Sequence, residues 1–235
     1  MNLILLEERD FTEPNRVRLD GRRLRHIRDV HRAMPGDELR VGAIGGKIGR
    51  GRVERYNNDA LEMSVILDAE PPAPLPLRLI LALPRPKVLN RTIAAAVSMG
   101  IREIDLINSW RVDKSYWKSP RVSQDNFRLQ SILGLEQAGD TVLPDIRMHR
   151  LFSPFVRETL PDMLVNRMKL LADPTGEAEF PRRISEPVLL AIGPEGGFID
   201  REIATFREHG FTVASLGPRI LRVETALACL VGRMF

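Results

Sequence analysis

Cysteine is almost missing from this chain: Cys229 is the only one in 235 residues, so no intramolecular disulfide framework can form. Histidine is nearly as scarce, with four scattered copies, and no thiolate or imidazole cluster can be assembled around a metal; none is expected. Long apolar runs are missing too. The start has four apolar residues in a row, Leu3 to Leu6, without a basic flank, and nothing further on approaches the roughly 20 residues that a spanning helix requires. These absences exclude a disulfide scaffold, a Cys/His metal enzyme and a membrane protein, and they make a reducing cytoplasm the expected location.

What is present is ordinary in amount and uneven in placement. With 43% hydrophobic and 28% charged residues, the composition is that of a water-soluble globular protein, long enough for one large or two modest domains. The formal charge of +4 says little by itself. Between Arg16 and Arg55, however, there are twelve Lys or Arg against five Asp or Glu, and between Arg78 and Arg128 ten against four. Two basic blocks of this kind match a phosphate backbone, because each neutralised phosphate releases a counterion. Arg22, Arg23, Arg25 and Arg28 in the first block, and Lys87, Arg111 and Lys114 in the second, are the candidate nucleic-acid contacts.

Four prolines in the six positions from Pro71 to Pro76 forbid helix and favour an extended spacer. They divide the chain into residues 1–72 and 73–235. In the first part a short helix over Gly21 to Val30 precedes strands at Glu38 to Ile44, Lys47 to Tyr56 and Ala60 to Leu67, separated by glycine, asparagine and aspartate turns. That pattern predicts a small β-barrel. In the second part strands and helices alternate: Leu77 to Leu83, Val88 to Met99, Ile104 to Ile107, Val122 to Gln137 and Lys169 to Ala172. An α/β fold with a parallel sheet follows.

The most informative residues come last. Val188 to Ile192 and Phe211 to Leu216 are apolar runs that predict buried strands. Each is followed by a glycine-bearing turn, Gly193-Pro194-Glu195-Gly196-Gly197-Phe198 and Leu216-Gly217-Pro218-Arg219-Ile220-Leu221-Arg222-Val223-Glu224-Thr225-Ala226. A helix follows each turn, from Asp200 as N-cap to His209 with Gly210 as its stop, and from Leu221 to Met234. Both turns should emerge at the carboxyl edge of the sheet, where ligands of open α/β sheets collect. The first turn has no lysine and carries a carboxylate, which disfavours a P-loop. The glycines sit too late and with the wrong spacing for a dinucleotide fingerprint. A cationic or zwitterionic adenine-containing ligand held by backbone groups suits the pair better.

These two turns together resemble the paired signature of the RsmE family, the 16S ribosomal RNA uracil-N3 methyltransferases of the SPOUT class. His26-Ile27-x-x-Val30 through Gly36-Asp37 is similar to that family's PUA-like barrel, and Leu135-Glu136-Gln137-Ala138 with Leu143-Pro144 is similar to its Glu-Gln motif. The resemblance implies S-adenosyl-L-methionine as methyl donor, a C-terminal parallel sheet with a deep trefoil knot, an obligate homodimer, and 16S ribosomal RNA or the assembled small subunit as substrate. It implies a donor site at Leu171, Ala172, Ile192, Gly193, Pro194, Gly196, Gly197, Leu216, Gly217, Arg219, Leu221, Thr225 and Ala226. Arg222 is then the candidate contact for the target uracil or its phosphate, and Glu224 and Glu195 are candidates for taking the N3 proton or ordering the loop. The chain departs from the family at Ala94 to Met99, apolar where charges are usual, and at Asp140.

Other readings remain for several of these residues. The fold without transfer activity would make a noncatalytic RNA-binding or ribosome-assembly factor, and the methylated uridine could be a different one. Trp110, Tyr116 and Trp117, interleaved with Arg111, Lys114 and Lys118, suit base stacking or equally a core or dimer contact. Cys229 is expected as a small core residue, and His26 and His31 as decoration of the barrel helix.

Overall fold

The computed structural model describes residues 2–235. The chain separates into two compact units, Met1–Ala73 with Ile132–Leu143, and Pro74–Ser131 with Pro144–Phe235. The proline spacer therefore marks one crossing between units. Two more follow in the middle of the sequence.

The first unit is a curled sheet of six strands: β1 (Ile4–Leu6), β2 (Phe11–Glu13), β3 (Arg16–Leu19), β4 (Glu38–Ala43), β5 (Ile48–Tyr56) and β6 (Leu61–Ala69). Their order is β1-β4-β5-β6-β3-β2. β1 runs parallel to β4, the other pairs are antiparallel, and the end strands β1 and β2 are not hydrogen-bonded to each other. The expected barrel is thus an open half-barrel, with three short strands beyond those the sequence predicts. Its core holds Ile4, Leu6, Val17, Leu19, Val41, Val53, Leu61 and Met63, covered by Leu24 and Ile27 from α1 (Gly21–His26) and the wider helical turn after it. Gly49 is required where β5 bulges against β6: a Cβ there would lie 1.8 Å from the Ile66 carbonyl oxygen.

The later segment belongs to this unit through backbone bonds. The Leu3 N–H donates to the Glu136 carbonyl at 3.0 Å and the Gly45 N–H to the Thr141 carbonyl at 2.8 Å. Asp140 is buried, and its Oδ1 accepts the N–H groups of Thr141 and Val142 at 2.6 and 3.1 Å. The Asp140 side chain thus serves a turn.

The second unit is a seven-stranded, wholly parallel sheet in the order β11-β13-β10-β12-β7-β8-β9. These are β7 (Leu77–Ala82), β8 (Glu103–Ile107), β9 (Asp145–His149), β10 (Met168–Ala172), β11 (Ala178–Glu179), β12 (Val188–Ile192) and β13 (Thr212–Ser215). The parallel α/β expectation is borne out. β12 is buried at every position, as a strand covered on both faces should be. The helices are α2 (Pro86–Ser98), α3 (Gln124–Ala138, divided between the units at Ser131), α4 (Phe152–Pro154), α5 (Leu160–Met163), α6 (Asp200–Glu208) and α7 (Val223–Met234). Ala94 to Met99 belong to α2 and its C-cap, with Ala96 and Val97 in the core.

Two helix starts shift by one or two residues. Asp200 is the first residue of α6 and Ile199 its N-cap; the Glu202 carboxylate accepts the Ile199 N–H at 3.0 Å. α7 begins at Val223, with Arg222 as N-cap. Its buried stripe is Val223, Leu227, Leu230, Val231 and Met234, and Cys229 falls off that stripe and is exposed, so it is not a core residue.

An ionic chain crosses β7, β8 and β9. Asp105, 1% exposed, accepts from Arg78 Nε and from His149 Nε2, each at 2.8 Å, and Glu103 pairs with Arg78 at 3.1 Å and Arg167 at 3.0 Å. Burial alone would push the Asp105 carboxyl up, but the bonds from His149 and Arg78 and the Arg78 charge outweigh it and hold the group below the ordinary carboxylate range. A depressed folded pKa contributes stability above the unfolded value of about 3.9, and that contribution is lost as pH falls through the lower folded value. Asp105→Asn is expected to cost about 3 kcal/mol in urea unfolding at neutral pH and to flatten the acid limb of the stability profile. An unchanged acid limb would assign that dependence to another carboxylate.

Candidate functional site

Because β10 pairs with β12 on one side and β13 on the other, the loops leaving these three strands meet at one edge of the sheet. Between them lies a cavity open to solvent, a concave and mostly apolar shape of the kind small molecules bind. Of the residues expected around a donor, Ala172, Ile192, Gly193, Pro194 and Gly197 line it from the first side, and Leu216, Gly217, Arg219, Leu221 and Ala226 from the second. Leu171, Gly196 and Thr225 do not. Leu171 is enclosed within the sheet, Thr225 is exposed on α7, and Gly196 is exposed with its Cβ direction against the Arg111 side chain at 3.1 Å.

Two glycines are used for shape. A Cβ on Gly193 would come within 3.1 Å of the Phe198 nitrogen, and Gly197 has φ +72° in the turn closed by its N–H to the Pro194 carbonyl at 2.8 Å. The loop is gripped from outside by the Arg111 guanidinium, which donates to the Gly196 carbonyl. The Phe198 and Phe206 rings, 5.2 Å apart, anchor its far end in the core.

Sequence reasoning missed the one buried charge in this cavity. Asp173 follows β10 directly; its Oδ1 accepts the Thr175 N–H at 2.9 Å and hydroxyl at 2.7 Å, and the side chain lies among Phe180, Ala214 and Ile192 in the cavity wall. The signal available was an acid immediately after a strand of the same edge. A buried carboxylate in a mostly apolar wall suits a ligand with a positive centre.

Beside the cavity is a second, basic cleft lined by Arg85, Lys87, Arg91, Arg121 and Arg222, with Tyr116, Glu195 and Glu224. The three candidate catalytic residues therefore come together. Glu224, in the first turn of α7, is 3.5 Å from an Arg91 guanidinium nitrogen. Glu195 Oε1 accepts the Arg85 N–H at 2.9 Å, and Glu195 lines both the cleft and the cavity.

Residues 71–234 match the RNA methyltransferase domain family. At 30% identity over 246 residues, the chain is similar along 98% of its length to the ribosomal RNA small subunit methyltransferase E of Treponema pallidum (strain Nichols), of which it covers 90%. The chain belongs to the ribosomal RNA small subunit methyltransferase E family. Its relative of that name in Synechocystis sp. is 26% identical over 217 residues, covering 89% of this chain and 69% of that protein. Methyltransferase E of Neisseria gonorrhoeae, crystallised bound to S-adenosyl methionine, shares the fold at a TM-score of 0.75 with 24% identity, covering 98% of this chain and 95% of that one. A Legionella pneumophila putative methyltransferase solved with the same compound gives a TM-score of 0.71 at 24% identity, over 98% of this chain and 94% of that one. The family resemblance carried by the two turns is borne out.

The candidate RNA contacts divide differently from the expectation. Lys87 is in the basic cleft, Lys114 lines a separate hollow, and Arg111 holds the Gly196 carbonyl. In the first unit Arg25 is exposed, Arg28 pairs with Asp29 at 2.7 Å, and Arg22 makes a two-bond fork with the buried Glu136 at 2.9 and 2.8 Å. Arg23 is buried: its guanidinium forks onto Asp10 and donates to the Leu5 carbonyl at 2.9 Å. It is committed to the core of the half-barrel. Among the described residues no group of three or more His, Cys, Asp or Glu is arranged to hold a metal, and no helix is long and apolar enough to cross a membrane.

Ala226→Phe, which fills the cavity from α7, is expected to weaken S-adenosylmethionine binding at least tenfold by calorimetry while unfolding stays within about 1 kcal/mol of the native chain. Arg23→Ala is expected to lower stability by about 3 kcal/mol and to leave the salt dependence of RNA binding unchanged. A reduced salt slope would return Arg23 to the RNA surface.

Proposed function

We propose that this protein methylates N3 of a specific uridine in the 16S ribosomal RNA of the small subunit, in the cytoplasm and as a homodimer, using S-adenosylmethionine. On this reading residues 1–72 grip the RNA and residues 73–235 carry the transfer, with the knot the family resemblance implies. The strand order β13-β10-β12-β7, in which the chain returns past β10, supports that threading.

The cavity suits the donor on physical grounds. Its walls of Ile192, Leu216 and Leu221 match an adenosine, Gly193 lets backbone approach closely, and the Asp173 carboxylate complements a cation. Bound there, S-adenosylmethionine supplies an electrophilic methyl group on a sulfonium. The exposed Ile220 and Leu221 at the cavity mouth support a second copy covering that edge.

The single observation that carries the reading is Glu195, standing between donor cavity and basic cleft. The N3 of uracil holds a weakly acidic proton that blocks attack, so a base must take it where the ring meets the methyl group. Glu195 has Oε1 fixed by the Arg85 N–H, which leaves Oε2 to accept the N3 proton. Glu224 is turned toward Arg91 on the cleft side alone. Arg222, which lines the same cleft as both carboxylates, can stabilise the charge that develops on the uracil oxygens. Holding these groups in one orientation is most of the catalytic work.

Glu195→Gln keeps the acceptor for Arg85 and removes the base. It is expected to retain donor affinity and lower kcat by about 100-fold or more, read as 3-methyluridine formed in small-subunit RNA by nucleoside mass spectrometry. Wild-type turnover would remove Glu195 from the proton transfer.

A further inference from the structure

Away from the donor cavity and the basic cleft, a third hollow opens between the segment after β8, helix α4 with the turn following it, and the start of α6. Three cations line it, Lys114, Arg157 and Arg201, and the single carboxylate is Glu202. That carboxylate is buried and fully engaged: Oε1 accepts the Trp110 N–H at 2.8 Å and Oε2 the Ile199 N–H at 3.0 Å. None of the three cations forms an ion pair among the described residues. The hollow is therefore electropositive in effect.

Its rim carries Trp110, 79% exposed. An indole that open to water buries little and has no packing role within the chain, yet its backbone is held in place by Glu202. The contrast with its neighbours is informative. Trp117 is buried, donates from Nε1 to Asn108 Oδ1 at 2.9 Å and lies under the Arg150 guanidinium at 5.7 Å, while Tyr116 lines the basic cleft. One short segment thus presents one ring to the core, one to the cleft and one to the hollow. Beneath Trp110 the Ser109 hydroxyl is buried without a hydrogen-bond partner, and Asn108 adds an amide to the same wall.

We propose that this hollow is a second nucleotide-binding site, taking a single-stranded nucleotide with its base stacked on Trp110 and its phosphates against Lys114, Arg157 and Arg201. An exposed aromatic beside uncommitted cations matches a base and its charged backbone. It matches an acidic peptide less well, because that would leave the indole face without a planar partner. The inference rests on RNA being the substrate and adds a contact outside the catalytic cleft, which captures RNA flanking the target.

The test uses the full-length protein and oligouridylate. Of the two tryptophans, Trp117 is buried, so quenching of tryptophan emission on titration reports Trp110. The emission is expected to fall in the wild type and in Trp117→Phe. In Trp110→Ala, affinity for a labelled oligouridylate read by anisotropy should weaken about tenfold, the scale of one lost stacking contact, and Trp110→Phe should recover most of it. Arg157→Ala and Arg201→Ala should each lower the log–log salt slope by about 0.7. Unchanged affinity in Trp110→Ala overturns the proposal. So does a shift of Trp110→Ala to a smaller species in sedimentation, which would make the hollow a contact between copies of the chain. Calorimetry with S-adenosylmethionine on the same samples separates this inference from the reading of the donor cavity: failure of the wild type to bind the donor sinks that reading, and the quenching result stands by itself.

Discussion

The pairing of β10 with β12 on one side and β13 on the other is the constraint from which the site follows. Parallel strands send their carboxyl ends to one edge, and two strands sharing a neighbour bring their outgoing loops within reach of each other. The loops can then be short and glycine-rich because they need only curve around a ligand. The helices beyond them, α6 and α7, bury apolar stripes, and Phe206 meets Phe198 at a tilt and Phe211 edge-on, which anchors the end of the first loop. Rigid support of this kind lets a site be built largely from backbone.

Division of labour between neighbouring pockets follows from side-chain chemistry. The donor cavity is mostly apolar, with Asp173 buried in its wall and Arg219 and Glu195 also lining it, whereas the cleft beside it gathers five cations from α2 and its N-cap, the segment before α3 and the loop before α7. A ligand with a local positive charge and a ligand with a phosphate backbone are thereby sorted to different sides of Glu195. Arg91 pairs with Glu224, and the Arg85 backbone N–H holds one oxygen of Glu195, so both acids have fixed orientations in a cleft where cations outnumber them.

Much of this was legible in the sequence, for identifiable reasons. Val188 to Ile192 is continuous and apolar because β12 is covered on both faces, and the glycine turns show because Gly197 and Gly217 adopt positive φ, which other residues rarely do. The rest was hidden by context. The strands Ile4–Leu6 and Phe11–Glu13 are only three residues long, too short to show a period. Asp145–His149 fully buries only Ile146, and three of its other four side chains are polar, as suits an edge strand. Arg23 sits in a run of arginines that looks like a solvated face, and only the remote Asp10 draws it inside. Asp173 is a lone acid whose role depends on which strands flank it, and strand order is not a local property.

The Arg111 grip on Gly196 and the two N–H groups collected by Glu202, from Trp110 and Ile199, tie the segment after β8 to the second half of the Gly193–Phe198 turn and to the residue that follows it. A loop held at two points in this way has fewer conformations left to lose, so more of the entropic penalty of ordering it falls on folding than on association. The protein thereby arrives at its ligands with this turn already shaped, and tight binding needs fewer direct contacts.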